Sequence, residues 1–212
     1  MIVPDRVRLP LRFDAQALAG EALSLPDEAW VPHFNQTIYE GAWTGVPLRS
    51  VGGVETQLYP DPAAQARFAN TEILGRLPAF AAALEQFSCP LQAARLLALA
   101  PGAVINEHRD YRLDWEDGEI RVHVPVVTSS EVEFVLDGRR VELAAGEAWY
   151  LNLNLPHRVN NRSPWTRIHL VVDCVVDHWL RELMEYALAK GQGAIDLRHE
   201  WRGHSRVRGL DG

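Results

Sequence analysis

RVHVPVV at residues 121–127, followed by EVEFVLDGRRVEL at residues 131–143, decides the fold. The first run alternates with a period of two, the pattern of an extended chain whose side chains point to opposite faces. The second holds two such alternations around Asp137-Gly138, a pair suited to a two-residue hairpin turn because both positions tolerate positive φ. Working outward, residues 147–153 and 166–172 are short apolar runs, and the β signal extends over residues 104–176. Residues 91–100 have helical propensity, yet the Pro101-Gly102 turn behind them favours a buried strand. Many short strands with tight turns predict a mainly β sandwich or barrel of jelly-roll type.

The flanks have a different texture. VRLPLRF (residues 7–13), WVPHFNQTIYEGAW (residues 30–43) and VPLRSVGGVETQLY (residues 46–59) read as strands and loops broken by Pro and Gly. Residues 62–88 are rich in Ala, Leu, Glu and Gln and predict two short helices, the second starting near Pro78. HWLRELMEYALAKGQG (residues 178–193) has helical spacing and ends in Gly. The expected organisation is a single domain over 1–212. About 1–90 form strands and helices flanking a β core of about 91–176, and about 177–212 form a C-terminal helix and tail.

The chain has 212 residues, of which 21 are Lys or Arg and 28 Asp or Glu, for a net charge of −7. That balance argues against a general nucleic-acid or membrane-surface binder, because no excess of cations is available to neutralise phosphates. Arg198, Arg202, Arg206 and Arg208 gather in the tail and read as a solvated or subunit-contacting end, which leaves a homodimer open. No apolar run is long enough to span a bilayer, and the N-terminus lacks a signal-peptide pattern. Cys89 and Cys174 stand far apart with no disulfide framework, so a reducing cytoplasm is the default expectation.

The chemistry begins at His108-Arg109-Asp110. Residues two apart on an extended segment face one way, so the imidazole and carboxylate converge while Arg109 points elsewhere. Such a pair alone is common on surfaces. Pro156-His157, following a strand 47 residues beyond Asp110, adds a second imidazole. Two His and one carboxylate can occupy one face of an octahedral metal, leaving positions open, as in non-haem Fe(II) oxygenases. Arg167, ten residues past His157, opens an apolar strand, where a charge is costly unless an anion meets it. It reads either as a solvated edge residue or as a bidentate clamp for a carboxylate. Arg121 and His123 share one face of a strand in which they stand among valines.

His108-x-Asp110, Arg121-Val122-His123, Pro156-His157, Asn160 and Arg167-Ile168-His169-Leu170-Val171-Val172-Asp173 together resemble the aspartyl/asparaginyl β-hydroxylase family of 2-oxoglutarate oxygenases. Within it the pattern is most like the small bacterial type typified by L-proline cis-4-hydroxylase. The motifs cover roughly residues 95–175. The resemblance implies a cupin-like double-stranded β-helix with Fe(II) held by His108, Asp110 and His157. Arg167 would take the C5 carboxylate of 2-oxoglutarate, with His123 against its other end and O₂ as oxidant. Arg121 would meet an acidic group of a small substrate, an amino acid or another small carboxylate; its alternative is an internal Asp or Glu partner. Asp110 separates the chain from the large animal aspartyl hydroxylases, which have Gly there, and from halogenating relatives, so hydroxylation is the implied outcome.

Two rivals stay open: another cupin-like metal enzyme, such as an isomerase or a hydrolase, and a non-catalytic ligand-binding barrel. His33, His178, His199 and His204 lack ligand-like spacing and read as surface or structural residues. Trp149 reads as core. Asn152 and His169 are left between pocket and structural roles.

Overall fold

The computed structural model describes residues 4–59 and 67–194. In chain order the N-terminal part supplies β1 (Arg6–Arg12), α1 (Ala15–Ser24), β2 (Val31–Pro32), β3 (Tyr39–Glu40), β4 (Trp43–Val51) and β5 (Phe68–Asn70). Two short helices follow, α2 (Glu72–Gly75) and α3 (Pro78–Glu85). The β-rich part holds β6 (Leu91–Leu99), β7 (Val104–His108), β8 (Glu119–Val127), β9 (Val132–Leu136) and β10 (Arg139–Val141). It continues through β11 (Glu147–Leu151), β12 (His157–Asn161) and β13 (Arg167–Val175), and α4 (His178–Ala189) and β14 (Gly193–Ala194) complete the described chain.

The strands form two sheets. The larger runs β14-β1-β11-β8-β13-β6-β4-β2 with β5 beside β4; the smaller runs β10-β9-β12-β7-β3. From β6 to β13 the chain passes from one sheet to the other and back, so each sheet receives alternate segments of the winding. The fold is therefore mainly β with two sheets, as expected. Among the described residues the sheets do not close into a continuous barrel. Their outermost strands β14, β2, β10 and β3 are only two or three residues long, and none pairs across to the other sheet.

Local rules explain the elements. Asp137 and Gly138 take φ values of 48° and 72°, joining β9 to β10 with Leu136 opposite Arg139. Residues 91–99, ambiguous by propensity, form a strand because β4 and β13 pair with it on both sides. Pro78 sits at the first turn of α3, where its missing N–H costs nothing. Asp177 caps α4 by accepting from the Leu180 N–H, and Asp14 caps α1 through the N–H groups of Gln16 and Ala17. Part of the first helix expected within residues 62–88 lies outside the described residues, as do the tail arginines, His199 and His204; Phe68–Asn70 is strand.

Alternation on β6, β8 and β13 then sorts the interior. Ala94, Leu96, Ala98, Ile120, Val122, Val124, Ile168, Leu170 and Val172 face the helices and join the larger apolar core. The intervening residues face the space between the sheets. Leu97, Leu99 and Val171 meet Ile105, Phe134, Leu136 and Val159 of the smaller sheet in a second core. Arg95, Arg121, His123, Arg167, His169 and Asp173 occupy further positions of that parity, all buried.

The N-terminal segment is built into this frame. The Phe13 N–H donates to the Gly146 carbonyl (2.9 Å), and the Gly146 N–H donates to the Pro125 carbonyl (2.9 Å). Gly146 has φ 76°, and a Cβ there would lie 2.5 Å from the Phe13 carbonyl oxygen. Gly146→Ala is expected to lower stability by about 1–3 kcal/mol, read as a lower urea midpoint at unchanged m-value.

Candidate metal centre

His108 ends β7 and His157 begins β12, and the two residues lie directly opposite each other across that antiparallel pair. Their ring centroids are 4.2 Å apart. Asp110 sits two residues beyond the end of β7, its N–H donating to the Leu153 carbonyl (2.9 Å), which turns its carboxylate back toward the imidazoles. Asp110 Oδ1 is 3.6 Å from His108 Nε2. One ligand atom from each of the three residues falls within 4.8 Å of the others. The side chains expected to converge do so, while Arg109 leaves the cluster and donates to the Asn154 carbonyl.

The ring nitrogens are committed in the sense that metal binding requires. His108 Nδ1 faces the Asn106 carbonyl at 2.8 Å, and His157 Nδ1 faces the Leu155 carbonyl at 3.1 Å. A carbonyl only accepts, so both Nδ1 atoms carry the proton and both Nε2 lone pairs are free for a cation. Burial, then the neighbouring His108, pushes the His157 pKa down to about 4, so this ligand is neutral at pH 7.

A cavity of about 40 Å³ leads inward from the triad along His123 and Phe134 to Arg167. Arg167 is 3% exposed. Its Nη2 donates to His169 Nδ1 (2.8 Å), and its Nε has no partner. No carboxylate pairs with it among the described residues, and burial pushes its pKa down to about 9. His123 lies beside His169 (3.4 Å) with Nε2 unpartnered, and burial together with Arg167 holds both imidazoles neutral. A buried cation without an anion, in the cavity that holds the triad, is suited to receive a carboxylate. A further cavity of about 300 Å³ opens past Arg167 and His169, beneath the β9–β10 hairpin.

Outward from the metal ligands, a cavity of about 350 Å³ is walled by the N-terminal segment. His33 stacks on Trp43 at 3.6 Å, and its Nε2 meets the Tyr59 hydroxyl at 2.7 Å. Phe34 and Tyr111 stand exposed at the rim. His33, read from sequence as surface or structural, thus lines the candidate substrate space; isolated in an irregular stretch, it had no spacing signal to mark it. Burial pushes its pKa to about 4, so it presents a neutral ring.

Arg121 borders both cavities. Its Nε and Nη2 donate to Asp173 (2.7 and 3.1 Å), and its Nη1 donates to Asp110 Oδ2 (2.7 Å). This is the internal acid partner that was the alternative to a substrate anchor. Arg95 Nη2 donates to Asp173 as well (2.9 Å), with its guanidinium 4.6 Å from the Tyr59 ring centroid. Burial alone would raise the Asp173 pKa, but Arg121 and Arg95 outweigh it and hold the carboxyl well below its usual range. Neither Arg95 nor Tyr59 was singled out from sequence. Trp149 packs against the second core and donates to Glu147, and Asn152 caps a turn by accepting from the Asn154 N–H. His178, at the exposed start of α4, meets Glu182 (3.4 Å). Asn161, next in sequence to Asn160 of the motif, performs a structural task, donating to the Leu99, Ala100 and Trp165 carbonyls.

A two-sheet β fold carrying a His-Asp-His facial site defines the class, a metal site of the kind typical of Fe(II)/2-oxoglutarate oxygenases. The family model for aspartyl/asparaginyl beta-hydroxylase matches residues 12–176, and the chain belongs to that family. Over 88 residues it is 28% identical to L-proline cis-4-hydroxylase of Rhizobium meliloti (strain 1021), a stretch covering 41% of this chain and 31% of that protein. The match thus spans about a third of the curated relative. A Pseudomonas putida prolyl-4-hydroxylase structure shares the fold at TM-score 0.50 and 16% identity, covering 82% of this chain and 94% of that one. A Burkholderia pseudomallei oxidoreductase of the 2OG-Fe(II) oxygenase family gives TM-score 0.49 at 19% identity, covering 80% and 85%. Among the described residues no helix is long and apolar enough to cross a membrane.

His108→Ala and His157→Ala are each expected to abolish Fe(II) or Co(II) binding in anaerobic calorimetry while leaving the far-UV circular dichroism unchanged. Acid sensitivity follows from the buried imidazoles. The folded pKa values of His33 and His157 lie near 4, below the unfolded value of about 6.5, so the unfolded chain takes up protons first. Stability from keeping them neutral is complete above about pH 6.5 and lost as pH falls toward 4. The metal-free protein should show a melting temperature that drops steadily across that window; a flat profile would contradict the assignment.

Proposed function

We propose that this chain is an Fe(II)- and 2-oxoglutarate-dependent dioxygenase that hydroxylates a small substrate, an amino acid or another small carboxylate. The observation that carries this reading is Arg167, buried beyond the metal ligands with no acidic partner among the described residues. His108, Asp110 and His157 would hold the iron. Arg167 would grip the C5 carboxylate of 2-oxoglutarate, and His123 would lie beside its other end. Iron and 2-oxoglutarate, when bound, supply the oxidising chemistry with O₂, which converts the co-substrate to succinate and CO₂ while a substrate C–H becomes C–OH.

The remaining residues bind, orient and exclude water. Leu97, Ile105, Phe134 and Leu153 give the inner cavity apolar walls, which keep water from the reacting centre. Three of the five Arg121 N–H groups are engaged by Asp173 and Asp110, and the other two remain for an acidic group of the substrate. His33, Trp43 and Tyr59 form the wall against which the substrate body would rest. An isomerase or hydrolase on the same frame has no use for a carboxylate clamp at Arg167, and a ligand-binding barrel would release no succinate.

The test is a panel of free amino acids and small acids incubated with enzyme, Fe(II) and 2-oxoglutarate, scored for substrate-dependent succinate and a product heavier by one oxygen. Arg167→Leu should raise the 2-oxoglutarate requirement well over tenfold, since losing a buried charge-assisted pair costs about 2–5 kcal/mol, with iron affinity little changed. Unchanged 2-oxoglutarate binding in that variant would remove the clamp from the proposal.

A further inference from the structure

The two oxygens of Asp110 have different neighbours. Oδ2 accepts from Arg121 Nη1 at 2.7 Å, whereas Oδ1 faces His108 Nε2 at 3.6 Å. One oxygen is therefore committed to a guanidinium and the other points to where the imidazole lone pairs converge. Arg121 cannot swing freely, because Nε and Nη2 are both engaged by Asp173 and Asp173 is held in turn by Arg95. All three residues are at least nine-tenths buried. The three strands that carry them, β6, β8 and β13, are adjacent in the large sheet.

Packing does not require this third contact. Asp173 already takes two donors of Arg121, and the Asp110 side chain is 29% exposed, so water could satisfy it. A carboxylate on an octahedral cation can bind through one oxygen or both, and the second oxygen takes up a coordination position that a co-substrate or O₂ would otherwise use. Partners that orient metal ligands are commonly worth an order of magnitude or more in metal affinity. We infer that Arg121, locked by Asp173 and Arg95, is a positioning residue that holds Asp110 as a one-oxygen ligand and keeps an adjoining coordination position open. This inference rests on the reading of His108, Asp110 and His157 as a metal site, and does not depend on which substrate is oxidised.

The experiment uses the full chain stripped of metal and titrated with Co(II), whose visible absorption reports coordination number without turnover. Arg121→Gln should weaken Co(II) binding about 10- to 100-fold and change the Co(II) spectrum before any 2-oxoglutarate is added. Arg121→Lys, which keeps the charge and one donor group, should recover part of both. An Arg121→Gln protein with wild-type affinity and spectrum would overturn the inference while leaving the metal site standing. Failure of the wild-type chain to bind Co(II) would instead overturn the metal site itself, and this inference with it. Should Arg121→Gln not fold, the crystal structure of the Co(II)-loaded wild type decides. One Asp110 oxygen on the metal and the other on Arg121 is expected. Both oxygens on the metal, or Arg121 turned away from Asp110, would refute it.

Discussion

Charge placed between two sheets is costly unless it is matched there, because burial strips it of most of its hydration. Three guanidinium groups, Arg95, Arg121 and Arg167, lie in that space, with Asp173 buried and Asp110 at its edge. Arg95 and Arg121 share the two carboxylates. Arg167 has only a neutral histidine. That interior is balanced at one end and deficient in negative charge at the other, and the deficiency lies along the cavity that starts at the metal ligands. The need for an anion beside Arg167 is the part of this electrostatic requirement that the described residues leave unmet.

The scaffold meets this requirement by dividing labour among its parts. The large sheet carries the charges on strands whose opposite faces are anchored in the main apolar core, so their side chains gain fixed positions from packing. The small sheet contributes the two histidines on paired strands, which sets their separation by ladder geometry rather than by loop conformation. Asp110 stands just outside a strand and depends on a backbone hydrogen bond and on Arg121 for its place. The N-terminal segment supplies the aromatic wall of the outer cavity, from a part of the chain separate from the three candidate metal ligands.

Sequence legibility followed how local each signal was. The His108-x-Asp110 pair was readable because a two-residue spacing fixes relative direction on an extended chain, and Arg167 because a cation heading an apolar strand is anomalous. The Asp137-Gly138 turn was readable because few residue pairs adopt its backbone angles. His33 was passed over because it sits in an irregular stretch, and its stacking on Trp43 and bond to Tyr59 join residues up to 26 positions apart. Arg95 was hidden inside a run that reads equally as helix; only its place between β4 and β13 makes it a strand residue aimed inward.

By itself the sequence determined the faces. A period of two on residues 121–127 separates Arg121 and His123 from Val122, Val124 and Val126, and this holds whatever the strand pairs with, because it comes from the pleat of a single chain. Only the tertiary structure decided the partners. Asp173 meets Arg95 across 78 residues and Arg121 across 52, and that meeting depends on the register in which β13 sets itself between β6 and β8. A slip of one residue would turn every one of these charges toward the apolar core, so burial of the opposite face selects the register and the register selects the salt bridges. The identity of the charged residues is local information, whereas their pairing, and the unpaired state of Arg167, are properties of the assembled sheets.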